Sequence, residues 1–338
     1  MIKCLIWDLD ETLWHGTLSD NERVKLRENI KPMLDELTAR GIISSIASRN
    51  DENSAMEKLR QFGLRDYFVF PKCSWDSKVT SIKLILEQTN LSSEHVAFID
   101  DNPFERFEVQ SYFPKMLTID SAEITNLLAR PEFVPSYSSL FTPNRIQTYK
   151  TLEKRKSAEQ GWGGSRQEFL KSCEMTMLLR LAENDDFERI VELNQRANQF
   201  NTSLERMDVS DFESLLKQKS NKVIVAELKD IFGDYGFIGY LLVGGKSPVQ
   251  IHSFIVSCRV EGRGIAAGFL IHALRTFVQD DYEIEMLVNM ATDRNRQMRI
   301  LLHSLGFKKK DEQTLFIPTI HGLPEIPNWI RFVSANDF

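Results

Sequence analysis

Short apolar runs alternate with amphipathic stretches through the first third of the chain. Lys3–Leu9 (KCLIWDL), Ile42–Ala47 (IISSIA), Tyr67–Phe70 (YFVF) and Val96–Ile99 (VAFI) read as strands buried on both faces. Between them, apolar residues recur at helical spacing near Ile30–Ala39, Glu52–Phe62 and Lys78–Thr89. Strand–helix–strand alternation predicts an α/β fold built on a doubly wound parallel sheet, with chemistry at the carboxyl ends of the strands. Each apolar run is followed at once by polar, reactive residues: Asp8, Ser48, Cys73–Trp75 and Asp100.

The pattern changes after Arg130–Arg145, a stretch with three prolines and several serines. Residues 1–130 are therefore expected to form one domain, and 131–172 a linker holding a charged helix (Ile146–Gln160), the Trp162–Gly164 turn and a second short helix. From 173 to 320 a second α/β domain is predicted. Its strands are Glu174–Arg180, Val223–Leu228, Gly236–Val243, Val249–Ser257, Glu283–Val288 and Thr314–Ile317, and its helices Asp185–Gln195, Asp208–Lys217, Arg259–Val278 (with its leading loop) and Arg294–Leu305. Residues 321–338 are read as a tail.

Composition limits the partners. The chain has 338 residues, 42% hydrophobic and 27% charged, enough for two separate cores. A formal net charge of -6 argues against nucleic acid, whose phosphates need a basic surface, and leaves room for a phosphorylated small molecule. Cys4, Cys73, Cys173 and Cys258 are far apart and form no zinc or disulfide pattern. The start is no signal peptide and no apolar run is long enough to span a membrane, so a cytoplasmic protein is expected.

Asp8 and Asp10 stand directly after the first strand. Phosphoryl transfer through an acyl-phosphate needs one carboxylate as nucleophile and a second as acid/base, and a spacing of two puts both on one strand-end loop. Mg²⁺ on the same loop could hold nucleophile and phosphate oxygens together. Ser48 could donate to a phosphoryl oxygen, Lys78 neutralise phosphate and Asp8, and Asp100 and Asp101 complete the metal's oxygen shell. Singly, each has a plainer reading as a turn, a helix cap or a surface charge; four in order at successive strand ends do not. The set resembles the haloacid dehalogenase superfamily of phosphatases on Asp8/Asp10/Thr12, Ser48, Lys78 and Asp100/Asp101. The resemblance implies Asp8 as nucleophile, Asp10 as general acid/base, and Mg²⁺ held by Asp8, the Asp10 carbonyl and Asp100 or Asp101. The intervals between Asp8, Ser48 and Lys78 are filled by one helix and one strand each, leaving no room for an inserted cap domain.

In the second half Arg259-Val-Glu-Gly262-Arg263-Gly264 follows a strand and opens a helix, a place where backbone N–H groups bind a pyrophosphate. With the downstream helix ending Leu305-Gly306-Phe307, it resembles the acyl-CoA loop of the GNAT acyltransferases. Arg259, Gly262, Arg263 and Gly264 are then the candidates for holding CoA or a carrier-bound phosphopantetheine. Glu261 and Arg263 have a plainer reading as solvated charges. Cys258, immediately before the loop, is a candidate acyl-accepting nucleophile, with a buried structural thiol as the plainer reading. Arg259 or His252 could lower its pKa, though the sequence puts neither within reach. Cys4 reads as core, and Cys73 as a weaker candidate beside the phosphate site.

Taken together, KCLIWDLDETLWHG, SIASRND, the CSWDSK segment, FIDDNPFER, ELNQRANQFN and VSCRVEGRG resemble the FkbH-like glyceryl transferases/phosphatases, over roughly Lys3 to Ile317. This resemblance implies capture of the glyceryl unit of 1,3-bisphosphoglycerate, dephosphorylation through Asp8 and Asp10, and loading through Cys258 onto the phosphopantetheine thiol of an acyl carrier protein, for polyketide-type biosynthesis. Two other readings are a phosphatase fused to an acetyl-CoA-dependent N-acetyltransferase acting on a sugar or amine, and a non-catalytic carrier-docking module with a vestigial phosphatase half.

Overall fold

In the first unit, Met1–Glu153, β1 (Cys4–Trp7) leads into a small antiparallel hairpin, β2 (Trp14–His15) and β3 (Lys25–Leu26). Then follow α1 (Ile30–Ala39), β4 (Ile43–Ser48), α2 (Glu52–Gln61), β5 (Lys72–Cys73), α3 (Lys78–Thr89), β6 (Val96–Asp100), α4 (Pro103–Tyr112) and β7 (Leu117–Asp120). The computed structural model describes residues 1–18, 24–134, 145–218, 220–245, 248–278 and 282–333.

Five strands pair in parallel in the order β5–β4–β1–β6–β7, the doubly wound sheet that the alternating pattern predicts. Every residue of β1, β4 and β6 is buried, as befits strands covered by helices on both faces. Leu5, Trp7, Ile46 and Ile99 share one apolar cluster with Leu34, Leu37 and Leu59 from the helices. Two buried serines that break the apolar run of β4 are hydrogen-bonded: Trp7 Nε1 donates to Ser44 Oγ at 3.3 Å, and Ser45 Oγ donates to the Phe70 carbonyl at 3.3 Å. The helices are capped where they leave the carboxyl ends of the strands. Asp51 caps α2, Ser77 caps α3, and Asn102 caps α4 with Pro103 in its first turn.

Three elements differ from expectation. Tyr67–Phe70 is not a strand: a 3₁₀ turn covers Arg65–Tyr67, a single bridge joins Phe68 to Ser44, and the edge strand comes later at Lys72–Cys73. Phe70 has φ 48, a left-handed conformation that ends any extended run. β7 was not expected, because LTID is short and mostly half-buried at the sheet's edge. The hairpin β2–β3 adds to the interval between Asp8 and Ser48, but two residues per strand make no cap domain.

The boundary segment lies mostly outside the described residues, at 135–144. Its start belongs to the first unit, since Phe133 is in the core and the Glu132 carbonyl accepts from the Ile2 amide. So does the opening of α5 (Arg145–Gln160): Arg145 donates to the Gly41 carbonyl, and Tyr149 to that of Thr89. The division between units, after Glu153, thus falls inside this helix.

The second unit, Lys154–Phe338, holds α6 (Arg166–Ser172), β8 (Met175–Leu181), α7 (Phe187–Arg196), α8 (Val209–Leu216), β9 (Lys222–Asp230), β10 (Gly233–Gly244), β11 (Val249–Val256), α9 (Ile265–Phe277), β12 (Ile284–Leu287), α10 (Arg296–Ser304), β13 (Lys308–Lys309), β14 (Thr314–Ile317) and β15 (Ile330–Val333). The eight-stranded sheet runs β13–β14–β12–β11–β10–β9–β8–β15. β8 to β11 are antiparallel neighbours, and β11 and β12 are parallel. Within the stretch read as a tail, Ile330–Val333 forms an edge strand, with Ile330 opposite Met175 in parallel register.

β11 and β12 pair only over Val249–Ile251 and Ile284–Met286, then part. The chain's own segment Phe200–Thr202 enters the gap: Thr202 N donates to the Phe254 carbonyl (3.1 Å) and Val256 N to that of Phe200 (2.9 Å). On its other side the Thr202 carbonyl accepts from Asn289 N and Asn295 Nδ2. At the open end of the split lies a cavity of about 360 Å³, described below.

Candidate active site

The parallel sheet brings the polar residues at its carboxyl edge together. Asp8 follows β1, Ser48 ends β4, Asp100 ends β6 and Lys78 opens α3 behind β5. Lys78 Nζ lies 2.6 Å from Asp8 Oδ1 and 2.5 Å from Asp100 Oδ2, and all three side chains are buried. Two carboxylates around one ammonium leave a net negative charge out of water. Burial pushes both Asp8 and Asp100 above the usual carboxylate range, with Lys78 pulling the other way. Burial alone would lower Lys78; Asp8 and Asp100 overcome it and raise its pKa, so it stays an ammonium.

Asp101 is exposed, unlike Asp100, and faces Thr12: its amide donates to Thr12 Oγ1 at 3.0 Å. Asp100 is already engaged, with Oδ2 on Lys78 and Oδ1 accepting from the Asn102 amide. One oxygen from each of Asp8, Asp100 and Asp101 lies within 4.8 Å of the others. Such a hard, anionic oxygen set suits Mg²⁺, and Asp101 is the partner of Asp8 with fewest prior commitments.

Asp10 belongs to a neighbouring cluster. Its Oδ1 accepts from Trp14 Nε1 (2.8 Å) and the Leu18 amide (3.1 Å), and its Oδ2 from Asn50 Nδ2 (2.9 Å). Asn50, itself buried, also donates to Ser48 Oγ at 3.1 Å and so joins two of the expected site residues. Asp10's carboxylate therefore sits outside the metal-type cluster of Asp8, Asp100 and Asp101. Sequence reasoning missed Asn50 and Trp14. Asn50 did carry a signal, since it stands two residues past Ser48 and so on the same side of an extended chain.

Cys73 is buried beside this site, and burial pushes its thiol up to about 12, with Glu52, Asp8 and Asp10 adding to the effect. It is a protonated thiol with no claim to nucleophilicity. Cys4 is core, raised likewise to about 12 by burial.

In the second unit the glycine loop is built as expected, but not every side chain faces the cavity. Gly262 and Gly264 take φ 74 and 76, a region that side chains rarely enter. A Cβ on Gly264 would also lie 3.0 Å from Pro327 Cγ. The loop is braced through its carbonyls, Gly262 receiving Arg166 Nη2 and Arg263 receiving Trp329 Nε1, each at 2.8 Å. The cavity beside it is lined by Val256, Ser257, Gly262, Gly264, Ile265 and Leu301, among others.

Arg263, expected to face a ligand, is instead buried, with its guanidinium 4.8 Å from the Tyr235 ring centroid. Two glycines with positive φ flank it, and its Nη2 donates to the Arg259 carbonyl at 3.2 Å. Arg259 is half-buried and donates from Nε to Ser257 Oγ. Cys258 is partly exposed at the start of a 3₁₀ turn, Cys258–Val260, and is not among the cavity-lining residues.

Residues 11–111 match the haloacid dehalogenase-like hydrolase family. The match takes in Ser48, Lys78, Asp100 and Asp101 and begins just after Asp10. No curated protein matches the chain. Among solved structures, the N-terminal part of protein BF1531 from Bacteroides fragilis, described as containing a phosphatase domain complexed with Mg, is 27% identical. That likeness covers 40% of this chain and 41% of that one, at a TM-score of 0.37. The GNAT family N-acetyltransferase YhbS from Escherichia coli, in complex with CoA, is 16% identical over 47% of this chain and 88% of that one, at a TM-score of 0.31. These likenesses are loose, and the two folds rest on the strand orders above. No helix among the described residues is long and apolar enough to cross a membrane. With residues 11–111, which hold β4, β5 and β6 of the parallel sheet, matching that family, the chain is an enzyme with a haloacid dehalogenase-like hydrolase domain in its N-terminal unit.

Proposed function

We propose that the first unit is a Mg²⁺-dependent phosphatase acting through an aspartyl-phosphate on Asp8. The single observation that carries this is Lys78 held between Asp8 and Asp100, with Asp101 alongside. Asp8 attacks phosphorus, the ester oxygen leaves with a proton from Asp10, and Asp10 then takes a proton from the water that cleaves the acyl-phosphate. Lys78 and Ser48 hold phosphoryl oxygens as charge shifts between them. Mg²⁺, when held by Asp8, Asp101 and the Asp10 carbonyl, supplies positive charge that lets a carboxylate approach a phosphate. Hydrolysis of a generic phosphate ester tests this. Asp8→Asn should cost at least about a thousandfold, as loss of a nucleophile does, and EDTA should abolish turnover. Equal rates for wild type and Asp8→Asn end the reading.

The finer reading joins the halves: a glyceryl unit from 1,3-bisphosphoglycerate is dephosphorylated by the first and loaded by the second onto an acyl carrier protein thiol. Its supports are the FkbH-like motifs, the absence of a cap domain among the described residues between Asp8 and Lys78, and a cavity beside a glycine loop of a size to accept a pantetheine-type arm. In this reading Cys258 carries the glyceryl thioester. Incubation with holo carrier and 1,3-bisphosphoglycerate should add one glyceryl group to the carrier by intact mass.

A specific observation favours the alternative. Cys258 does not line the cavity, as transfer directly from acetyl-CoA to a sugar or amine requires no thiol there. Consumption of acetyl-CoA with no carrier acylation would decide for that chemistry.

A further inference from the structure

We infer that Arg106 is the positioning residue that sets the metal affinity of the Asp100–Asp101 loop, an inference that rests on the phosphatase reading above. Arg106 lies on the first turn and a half of α4 and closes the FIDDNPFER segment, where no role has yet been assigned to it. Its Nη1 donates to two consecutive carbonyls, those of Asp100 at 2.8 Å and Asp101 at 2.7 Å. Its Nη2 pairs with Asp120 Oδ2 at 2.6 Å.

Two adjacent carbonyls aimed at one point repel each other unless a cation sits there. The planar guanidinium, with several donors in fixed directions, can hold both carbonyls and still keep a carboxylate on its far side. Fixing both peptide groups fixes where the two side chains leave the backbone. Asp100 is then pinned a second time by Lys78, whereas Asp101 is exposed and, among the described residues, meets Thr12. The clamp therefore matters most for Asp101, the less restrained of the two candidate ligands.

The charge arrangement fits the same role. A lone cation beside a Mg²⁺ site would repel the metal, but Asp120 neutralises Arg106. Asp120 ends β7 directly opposite Asp100 in the parallel register, so the clamp ties the metal-type loop to the neighbouring strand. Groups that orient metal ligands from behind commonly change affinity by about 10–100-fold when removed.

The test is Mg²⁺ binding by calorimetry on the full chain, without substrate, comparing wild type, Arg106→Met and Arg106→Lys. Thermal unfolding in EDTA checks that each variant is folded. Arg106→Met should raise the Mg²⁺ Kd at least about tenfold. Arg106→Lys should raise it less, because its single ammonium keeps Asp120 but holds both carbonyls poorly. If Arg106→Met does not fold, Arg106→Lys alone decides. Wild-type affinity in the folded variants overturns the inference while leaving the phosphatase reading intact. No saturable Mg²⁺ binding by the wild type overturns both.

Discussion

Replacing Lys78 with Met tests the electrostatic core of the site through stability rather than turnover. Lys78, Asp8 and Asp100 are each no more than 5% exposed, and the ammonium touches both carboxylates. At an effective dielectric of about 20, one charge pair about 4 Å apart is worth about 4 kcal/mol. Removing one member of a buried pair costs about 3–5 kcal/mol, because the other charge is left uncompensated. Here two are left, 2.6 and 2.5 Å from the lost nitrogen. Protonation is their escape. Burial already raises both carboxyls, and loss of the cation raises them further. A carboxyl raised on folding favours the folded state below its unfolded pKa, and that advantage is lost as pH rises through its folded pKa. The defect of Lys78→Met should thus be about 3–5 kcal/mol at pH 8 and clearly smaller at pH 5, where the carboxyls take up protons. Urea unfolding of the metal-free protein at both pH values, followed by the fluorescence of buried Trp7 and Trp14, measures it. An equal defect at both pH values would refute the reasoning, since a loss of packing alone does not titrate.

The converse holds for Asp8→Asn, which removes one of the crowded carboxylates. In EDTA it should be more stable than wild type at pH 8, the gain fading towards pH 4; a variant less stable than wild type at pH 8 contradicts the raised Asp8. Asn50→Ala should lower kcat of ester hydrolysis about 10- to 100-fold with little change in KM, because it frees Asp10 to rotate; an unchanged kcat removes Asn50 from the site. Cys258→Ala should block carrier acylation while leaving ester hydrolysis intact, and loss of neither makes Cys258 structural. Gly264→Ala should destabilise the second unit by about 1–3 kcal/mol, as φ 76 and Pro327 leave no place for a methyl group; an unshifted melting temperature contradicts the strain.

Much of this was legible in the sequence because burial on both faces writes itself as unbroken apolar runs. β1, β4 and β6 were found for that reason, and with them the strand ends that carry Asp8, Ser48 and Asp100. The same logic misread Tyr67–Phe70. Phe68, Val69 and Phe70 are as buried as a strand, but the positive φ of Phe70 has no compositional signature. β7 and β15 escaped because edge strands need be apolar on only one side. Charged residues misled in the glycine loop. Arg263 reads as a ligand-facing cation, but it is flanked by two αL glycines and lies against Tyr235. Arg106 shows the opposite failure: it closes the FIDDNPFER segment, but two of its partners are carbonyls, which any residue supplies, so the motif does not reveal what it holds.

The central claim is that an oxygen of Asp8 becomes bonded to phosphorus. Acid-quenching the enzyme during turnover of a phosphate ester, then weighing its peptides, tests this directly. The account predicts a Mg²⁺-dependent gain of one phosphoryl group on the peptide containing Asp8, absent from Asp8→Asn. Phosphate release at the full rate, with the label on another side chain, contradicts it.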